Sequence, residues 1–297
     1  MHSGAGSGGN PIALLTQFLS GLFVLIWATG FIVAGIVATR ADPLTFLTVR
    51  HGLSVAVFTV LSLAVRAAWP RDLRTWRDAM VAGILLHGTY IGGVFWAVSQ
   101  GLGAGLTALV TGLHPLLTAM LAMPLLHERL IPRQWAGIAV GVLGVALIVA
   151  PRLGPVDGVP IIAVFVALMA TLSLTLGTIW QKRSKPQMDL RVNAAMQFVG
   201  AFVITAPVAL ATEANRFDAS PALWGALAWA VLGLSVGGIS ILLALLKRGA
   251  ASKVAPLLYL SPPVAALIAA AVFGEAISGI QVAGMVLAVS GAFAARH

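Results

Sequence analysis

Ten apolar runs of about 20 residues follow one another along this chain with almost no charge inside them. They lie at about 13–37, 43–65, 77–99, 103–126, 132–150, 159–181, 190–210, 221–246, 252–273 and 278–295. A helix of about 20 residues crosses a hydrocarbon core of roughly 30 Å. Lipid offers the backbone no hydrogen-bond partner, so each run must satisfy its own N–H and C=O groups as a helix. A membrane β-barrel would show short alternating segments instead, and the sequence has none. The chain is 59% apolar and 9% charged, with a mean hydropathy of +0.99. A water-soluble fold of 297 residues needs far more charge to cover its surface. The expected fold is all-α, a ten-helix membrane protein.

The second half repeats the first at an offset of 147 residues. Ala104–Val145 aligns with Ala251–Ala292 without a gap, and 12 of the 42 positions are identical. Biased composition explains the alanines; it does not explain Pro115/Pro262, Glu128/Glu275, Gln134/Gln281, Gly137/Gly284 and Gly144/Gly291. The same offset pairs Gly30 with Gly177 and Asp42 with Asp189. The expected units are residues 1–12 as a flexible start, 13–150 as a first five-helix repeat and 159–295 as a second. Five spans is an odd number, so the second copy must enter the membrane upside down.

Charge supports that inversion independently. The net charge is +9, and 14 of the 18 basic residues fall in loops on the side of the two termini, against three on the other side. Arg50 lies within a run. This split is a topology signal rather than a nucleic-acid patch, and it places both termini in the cytoplasm of a cell bearing the protein in its cytoplasmic membrane. Equivalent loops differ sharply: the 3–4 loop has no basic residue, whereas its counterpart between runs 8 and 9 has three. Trp69, Trp76 and Trp135 flank basic loops and are expected as interface anchors. Small residues on runs 5 and 10 (Gly137, Gly141, Gly144; Gly284, Ala288, Gly291) are expected to pack those helices together as scaffold. The chain has no cysteine, so disulfides, thiol catalysis and thiolate metal sites are excluded.

All nine acids sit in loops or near helix ends. Without a mid-membrane carboxylate, bare cations are poor candidate substrates, and neutral or zwitterionic solutes fit better. The polar residues at mid-membrane are few. His87 and Tyr90 share a face of run 3 with Gly83, and Thr111 and His114 share one of run 4 with Thr107 and Thr118. Tyr259 and Ser261 precede Pro262-Pro263, and Trp27, Trp180, Asn193 and Gln197 lie in runs 1, 6 and 7. An ionisable residue inside a span is a functional candidate because its burial is costly. His87, Tyr90, Thr111, His114, Tyr259, Trp27 and Trp180 are therefore the candidate substrate contacts. The competing reading is a neutral His bonded between helices, a Thr hydroxyl bonded one turn back, and aromatic rings that fill the core. Pro115 and Pro262, with Pro263 beside the latter, interrupt corresponding spans. They free carbonyls or provide a bend, and paired interruptions point to a site at the repeat interface. Gly83 and Gly237 are the candidate hinges. Arg50 either snorkels to the interface or serves as a gate or anion partner.

The stretches HPLLTAMLAMPLLHERLIPRQWAGIAVGVLGV (114–145) and SPPVAALIAAAVFGEAISGIQVAGMVLAVSGA (261–292) resemble the EamA repeat of the drug/metabolite transporter superfamily. That resemblance covers nearly the whole chain and implies export of small metabolites. Within the superfamily the chain resembles the YddG-type aromatic amino-acid exporters, through its overall pattern and HGTYIGGVFW in run 3. Carried over, Pro115 and Pro262 match the central prolines, and Glu128 and Glu275 match helix-end acids with a structural role. The buried acid of the small multidrug members has no counterpart here. The expectation is an alternating-access exporter of amino acids or similar small metabolites, not an enzyme. It would need no cofactor or metal, act as a monomer in the lipid bilayer on a small-molecule substrate, and bind no nucleic acid. Its cavity would be lined by spans 1, 3, 4, 6, 8 and 9. A multidrug or nucleoside exporter, or a proton-coupled antiporter of the same fold, is the alternative.

Overall fold

In the computed structural model, residues 11–126, 131–150, 160–184, 188–247 and 260–296 are described. They form helices α1 (Pro11–Ala38), α2 (Pro43–Ala64), α3 (Leu73–Leu102), α4 (Ala104–Thr111), α5 (His114–Leu126) and α6 (Pro132–Val149). Helices α7 (Ile161–Ser184) and α8 (Leu190–Thr212) follow. Next come α9, continuous through Pro221–Ala228, Trp229–Gly237 and Gly238–Lys247, then α10 (Ser261–Phe273) and α11 (Gly279–Arg296). Among the described residues, eight stretches are long and apolar enough to cross a membrane, and α10 and α11 are shorter apolar helices. The expected flexible start and the first part of the ninth run lie outside the described residues, apart from the beginning of α1.

The starts and stops follow local chemistry. Pro43, Pro132 and Pro221 open α2, α6 and α9, where a missing N–H costs nothing. Asp72 and Asp189 cap α3 and α8 by accepting bonds from the Thr75 and Arg191 amides. Gly103, at φ +78°, turns the chain between α3 and α4, and Gly274, at φ +69°, ends α10.

The two repeats share their irregularities. The fourth run breaks at Gly112-Leu113 and resumes as α5 at His114, whose second residue is Pro115. Pro115 has no N–H to offer the Thr111 carbonyl and crowds that turn, so the helix restarts with proline in its first turn. The described part of the ninth run starts as a helix at Ser261, the equivalent of His114, again with proline second. Helix α3 carries a π-helical segment at Ile84–Thr89, and the offset of 147 places it inside the π-helical Trp229–Gly237 of α9. Such wide turns are uncommon and concentrate at functional positions.

Close backbone approach holds the bundle, because lipid gives apolar helices no solvophobic drive to associate. Helices α6 and α11 meet as expected: a Cβ on Gly144 would sit 2.5 Å from the Ala288 nitrogen, and Gly291 abuts Gly137 and Gly141. One apolar core joins α1, α2, α3, α4, α9 and α10 around Ala28, Phe46, Ala108, Leu227 and Ala269. A second joins α4, α5, α6, α7, α10 and α11 around Leu116, Ile148 and Ala167.

One end of the bundle is tied by acids. The Glu275 carboxylate accepts bonds from the Ala104 and Gly105 amides of α4 at 2.9 and 3.1 Å. The Glu213 carboxylate accepts from the Leu44 and Thr45 amides of α2 at 2.9 and 2.7 Å, and from the Thr45 hydroxyl. A short bridge pairs Ala41 with Phe217, and Asp42 accepts from the Arg216 amide. Glu275 thus caps a helix of the other repeat, not the next helix in its own, as its sequence position implied. Glu128 lies outside the described residues.

Candidate functional site

At the opposite end, beside the loop bearing Arg66 and Arg71 and the helix ends bearing Arg74, Lys182 and Arg183, a vestibule of about 890 Å³ enters the bundle. Its walls come from the segment between α2 and α3 (Trp69, Pro70), from α3 (Thr75, Asp78, Ala82), from α7 (Gln181, Ser184) and from α8 (Asn193, Gln197). Of the spans expected to line a cavity (1, 3, 4, 6, 8 and 9), the third and the sixth supply walls here as α3 and α7, and α8, the seventh, joins them. Small residues lie at the acid-clamped end. There Gly35 lies against the Phe273 ring, and Gly105 against Ala266 and Ala269, so α1, α4 and α10 close on one another. Trp69 is part of the vestibule wall and stacks on Trp76 at 5.9 Å, while the Trp76 indole N–H donates to the Pro70 carbonyl. Only Trp135 of the three expected anchors is exposed.

Asp72 at the rim is held below the ordinary carboxylate value of 3.8, chiefly because the Thr75 amide donates to it. Asp78 pairs with Arg77 and Asp189 with Arg191, each at 2.8 Å. The rim acids are thus engaged with neighbouring groups. Inward, α3 and α8 touch: Gly83 abuts the Gln197 backbone and Gly200 abuts that of Met80. This contact is the vestibule floor, and it needs glycine at position 83.

Just beyond it, the His87 ring stacks on Phe198 at 4.6 Å and interacts with the Gln197 side chain. His51, fully buried on α2, approaches the same Phe198 at 5.9 Å. Its Nδ1 lies 3.2 Å from the Thr205 hydroxyl, which itself donates to the Ala201 carbonyl. A hydroxyl has one proton, so Nδ1 carries the hydrogen of that contact. Arg50 is 5% exposed, so it does not snorkel.

The remaining expected contacts are dispersed. His114 places Nδ1 3.0 Å from the Thr175 hydroxyl on α7. Tyr90 is buried and bonds to the Thr111 side chain, whose hydroxyl donates to the Ala108 carbonyl. The Trp180 indole N–H donates to the Asp78 carbonyl at 3.1 Å, tying α7 to α3 beside the vestibule. Trp27 is 42% exposed, against Phe23. Tyr259 lies outside the described residues. Pro115 starts α5, and Pro262 and Pro263 face Leu109 and Gly112 across a gap of about 20 Å³. Gly237 closes the π-helical segment of α9. Sequence reasoning missed Phe198, whose only signal was its place beside Gln197. It also missed Ser173, whose hydroxyl donates to the Leu85 carbonyl inside the π-helical turn.

Helix breaks at equivalent residues of the two halves agree with the family comparison, in which the EamA-like transporter model matches residues 14–150 and again 161–296. The chain belongs to the EamA-like transporter family. It is a multi-pass membrane transporter, as the resemblance of its repeats implied. A probable amino-acid metabolite efflux pump of Salmonella typhimurium is 27% identical over 292 residues, covering 93% of each chain. The protein of that name in Escherichia coli is 26% identical, covering 92% of this chain and 91% of its own. An uncharacterized transporter of Bacillus subtilis, YvbV, is also 26% identical, covering 94% and 89%. A crystal structure 20% identical in sequence shares the fold of this EamA-like chain, with a TM-score of 0.65 over 95% of this chain and 97% of that one.

Proposed function

We propose that this EamA-like transporter exports amino acids or similar small metabolites by alternating access, as ten spans in two inverted five-helix repeats. The observation that carries the reading is the asymmetry of the two ends. One admits a vestibule of about 890 Å³, while the other is shut by Glu213, Glu275 and the α1–α4–α10 seam. That volume lies within the range of small-molecule sites. The positive-inside rule turns the open, basic end to the cytoplasm, where a solute to be exported must load. The amino-acid efflux pumps among the relatives support the substrate class.

Gln197 meets the solute at the vestibule floor and His87 just beyond it, with Tyr90, Thr111 and His114 further along α3–α5. Release to the other side requires the two glutamate clamps to open. The breaks before Pro115 and Pro262 and the π-helical turns of α3 and α9 supply the bends. Transport is facilitated, down the solute gradient. Proteoliposomes containing the purified chain test this with labelled amino acids, nucleosides and organic cations. Saturable efflux of amino acids is expected, and a double variant His87→Ala/His114→Ala loses at least tenfold in flux. Unsaturable flux, or flux of cations alone, refutes the function; normal flux in the double variant removes both histidines from the site.

A further inference from the structure

Of the eight buried side-chain polar atoms left without a hydrogen bond among the described residues, four belong to one group on α2 and α3: Arg50 Nε, His51 Nε2, Ser54 Oγ and His87 Nδ1. Their proximity is set by the fold. Ser54 follows Arg50 by one helical turn, on the same face. His51 and His87 both contact Phe198, and both feel the Arg50 charge. Arg50 stands about 10 Å inside the start of α2, and a guanidinium cannot shed its proton to escape burial. Among the described residues its Nε has no hydrogen-bond partner, and no salt bridge pairs it with an acid. The acids that could serve are committed: Glu213 and Glu275 to helix starts, Asp42 to Arg216, Asp72 to Thr75, Asp78 to Arg77, and Asp189 to Arg191.

An unpaired buried cation is among the costliest features a fold can carry, and a cluster of unsatisfied polar atoms around it calls for a partner that arrives from outside. A carboxylate meets each need. It accepts two parallel bonds from a guanidinium, and its remaining lone pairs accept from the Ser54 hydroxyl and a His87 ring N–H. The group lies next to the vestibule floor, since Gln197 lines the vestibule and its side chain interacts with His87, which feels the Arg50 charge. We propose that Arg50, with Ser54 and His87, binds the carboxylate of the exported solute, which restricts the substrates to carboxylate-bearing molecules. This rests on the amino-acid export reading above.

The test uses the full-length chain in proteoliposomes, with the twenty amino acids as competitors, then the amide and the decarboxylated amine of the strongest one. The amide and amine should compete at least tenfold more weakly in the wild type. Arg50→Gln should weaken the amino acid at least tenfold and erase that preference, with Arg50→Lys restoring part of it. Ser54→Ala, which removes a donor and no charge, should weaken the amino acid several-fold and covers the case in which Arg50→Gln does not fold. Equal competition by the amine, or an Arg50→Gln protein that keeps the preference, overturns the carboxylate site and leaves amino-acid export standing. Failure of every amino acid to compete sinks both.

Discussion

Replacing Glu275 with glutamine should loosen the closed end without touching the vestibule. Two backbone amides of α4 donate to the carboxylate, at 2.9 and 3.1 Å. Bonds to a charged acceptor are worth about 1.5–3 kcal/mol each and neutral ones about 1. Glutamine keeps one acceptor oxygen and turns an NH2 toward the other amide, so one bond weakens and one is lost, about 3 kcal/mol in all. Glu275 is only half-buried, and water replaces part of this, leaving about 2 kcal/mol. If the clamp exists only while this end is closed, that amount shifts the closed–open equilibrium by roughly 30-fold. The chain has no cysteine, which makes the assay direct. Ala265→Cys places a thiol at a fully buried position of α10, within the core shared with α1 and α4. Its labelling by a water-soluble maleimide, in protein held in nanodiscs, should accelerate roughly 30-fold in Glu275→Gln. Leu267→Cys, 61% exposed on the same helix, should be unaffected. An unchanged rate at position 265 would show that Glu275 is not a clamp, and a parallel rise at both positions would mean general unfolding.

Gly291→Ala forces a methyl group into the Gly137–Gly141 backbone of α6; overpacking of this kind costs about 1–3 kcal/mol, so thermal unfolding in detergent should fall by several degrees, and an unchanged midpoint would contradict the α6–α11 seam. Asp72 has a depressed carboxyl value, so its cap on α3 stabilises above the ordinary 3.8 and is lost as pH falls below it. The protection factor of the Thr75 amide, its exchange relative to an unstructured amide at the same pH, should fall with acid through that range in the wild type. In Asp72→Ala it should be low at every pH, and protection that persists in that variant would rule the cap out.

Helix positions were legible because lipid leaves the backbone a single choice, and the apolar runs state their own lengths. The seventh run, expected at 190–210, is α8 at Leu190–Thr212. The restart at His114 was legible from Pro115, because proline acts on its own turn. What a run of similar helices does not state is which faces meet. Glu275 reads as a cap for the helix that follows it, yet it reaches α4 across the repeat boundary. Trp69 reads as an interface anchor and yet lines the vestibule. The part of α8 in the vestibule wall was illegible for the same reason, because Asn193 and Gln197 reach it only through the face that α8 turns to α3.

The buried polar chemistry is divided unevenly between the two repeats. Arg50, His51 and His87 all belong to the first half, but the groups that orient them, Gln197, Phe198 and Thr205, belong to α8 in the second. Both glutamate clamps run the same way, from second-half acids to first-half helix starts. A solute bound among Arg50, His87 and Gln197 therefore touches both halves on the open side of the clamps. It can bias their relative movement only through contacts that differ between the two states. The equivalent of His87 is Leu234, and that of Arg50 is Gln197. Symmetric binding surfaces would give a solute equal contacts with both halves. On the proposed reading, the sequence divergence at these two positions makes one polar site from two repeats that share a common pattern, so that a single solute would contact both repeats at once.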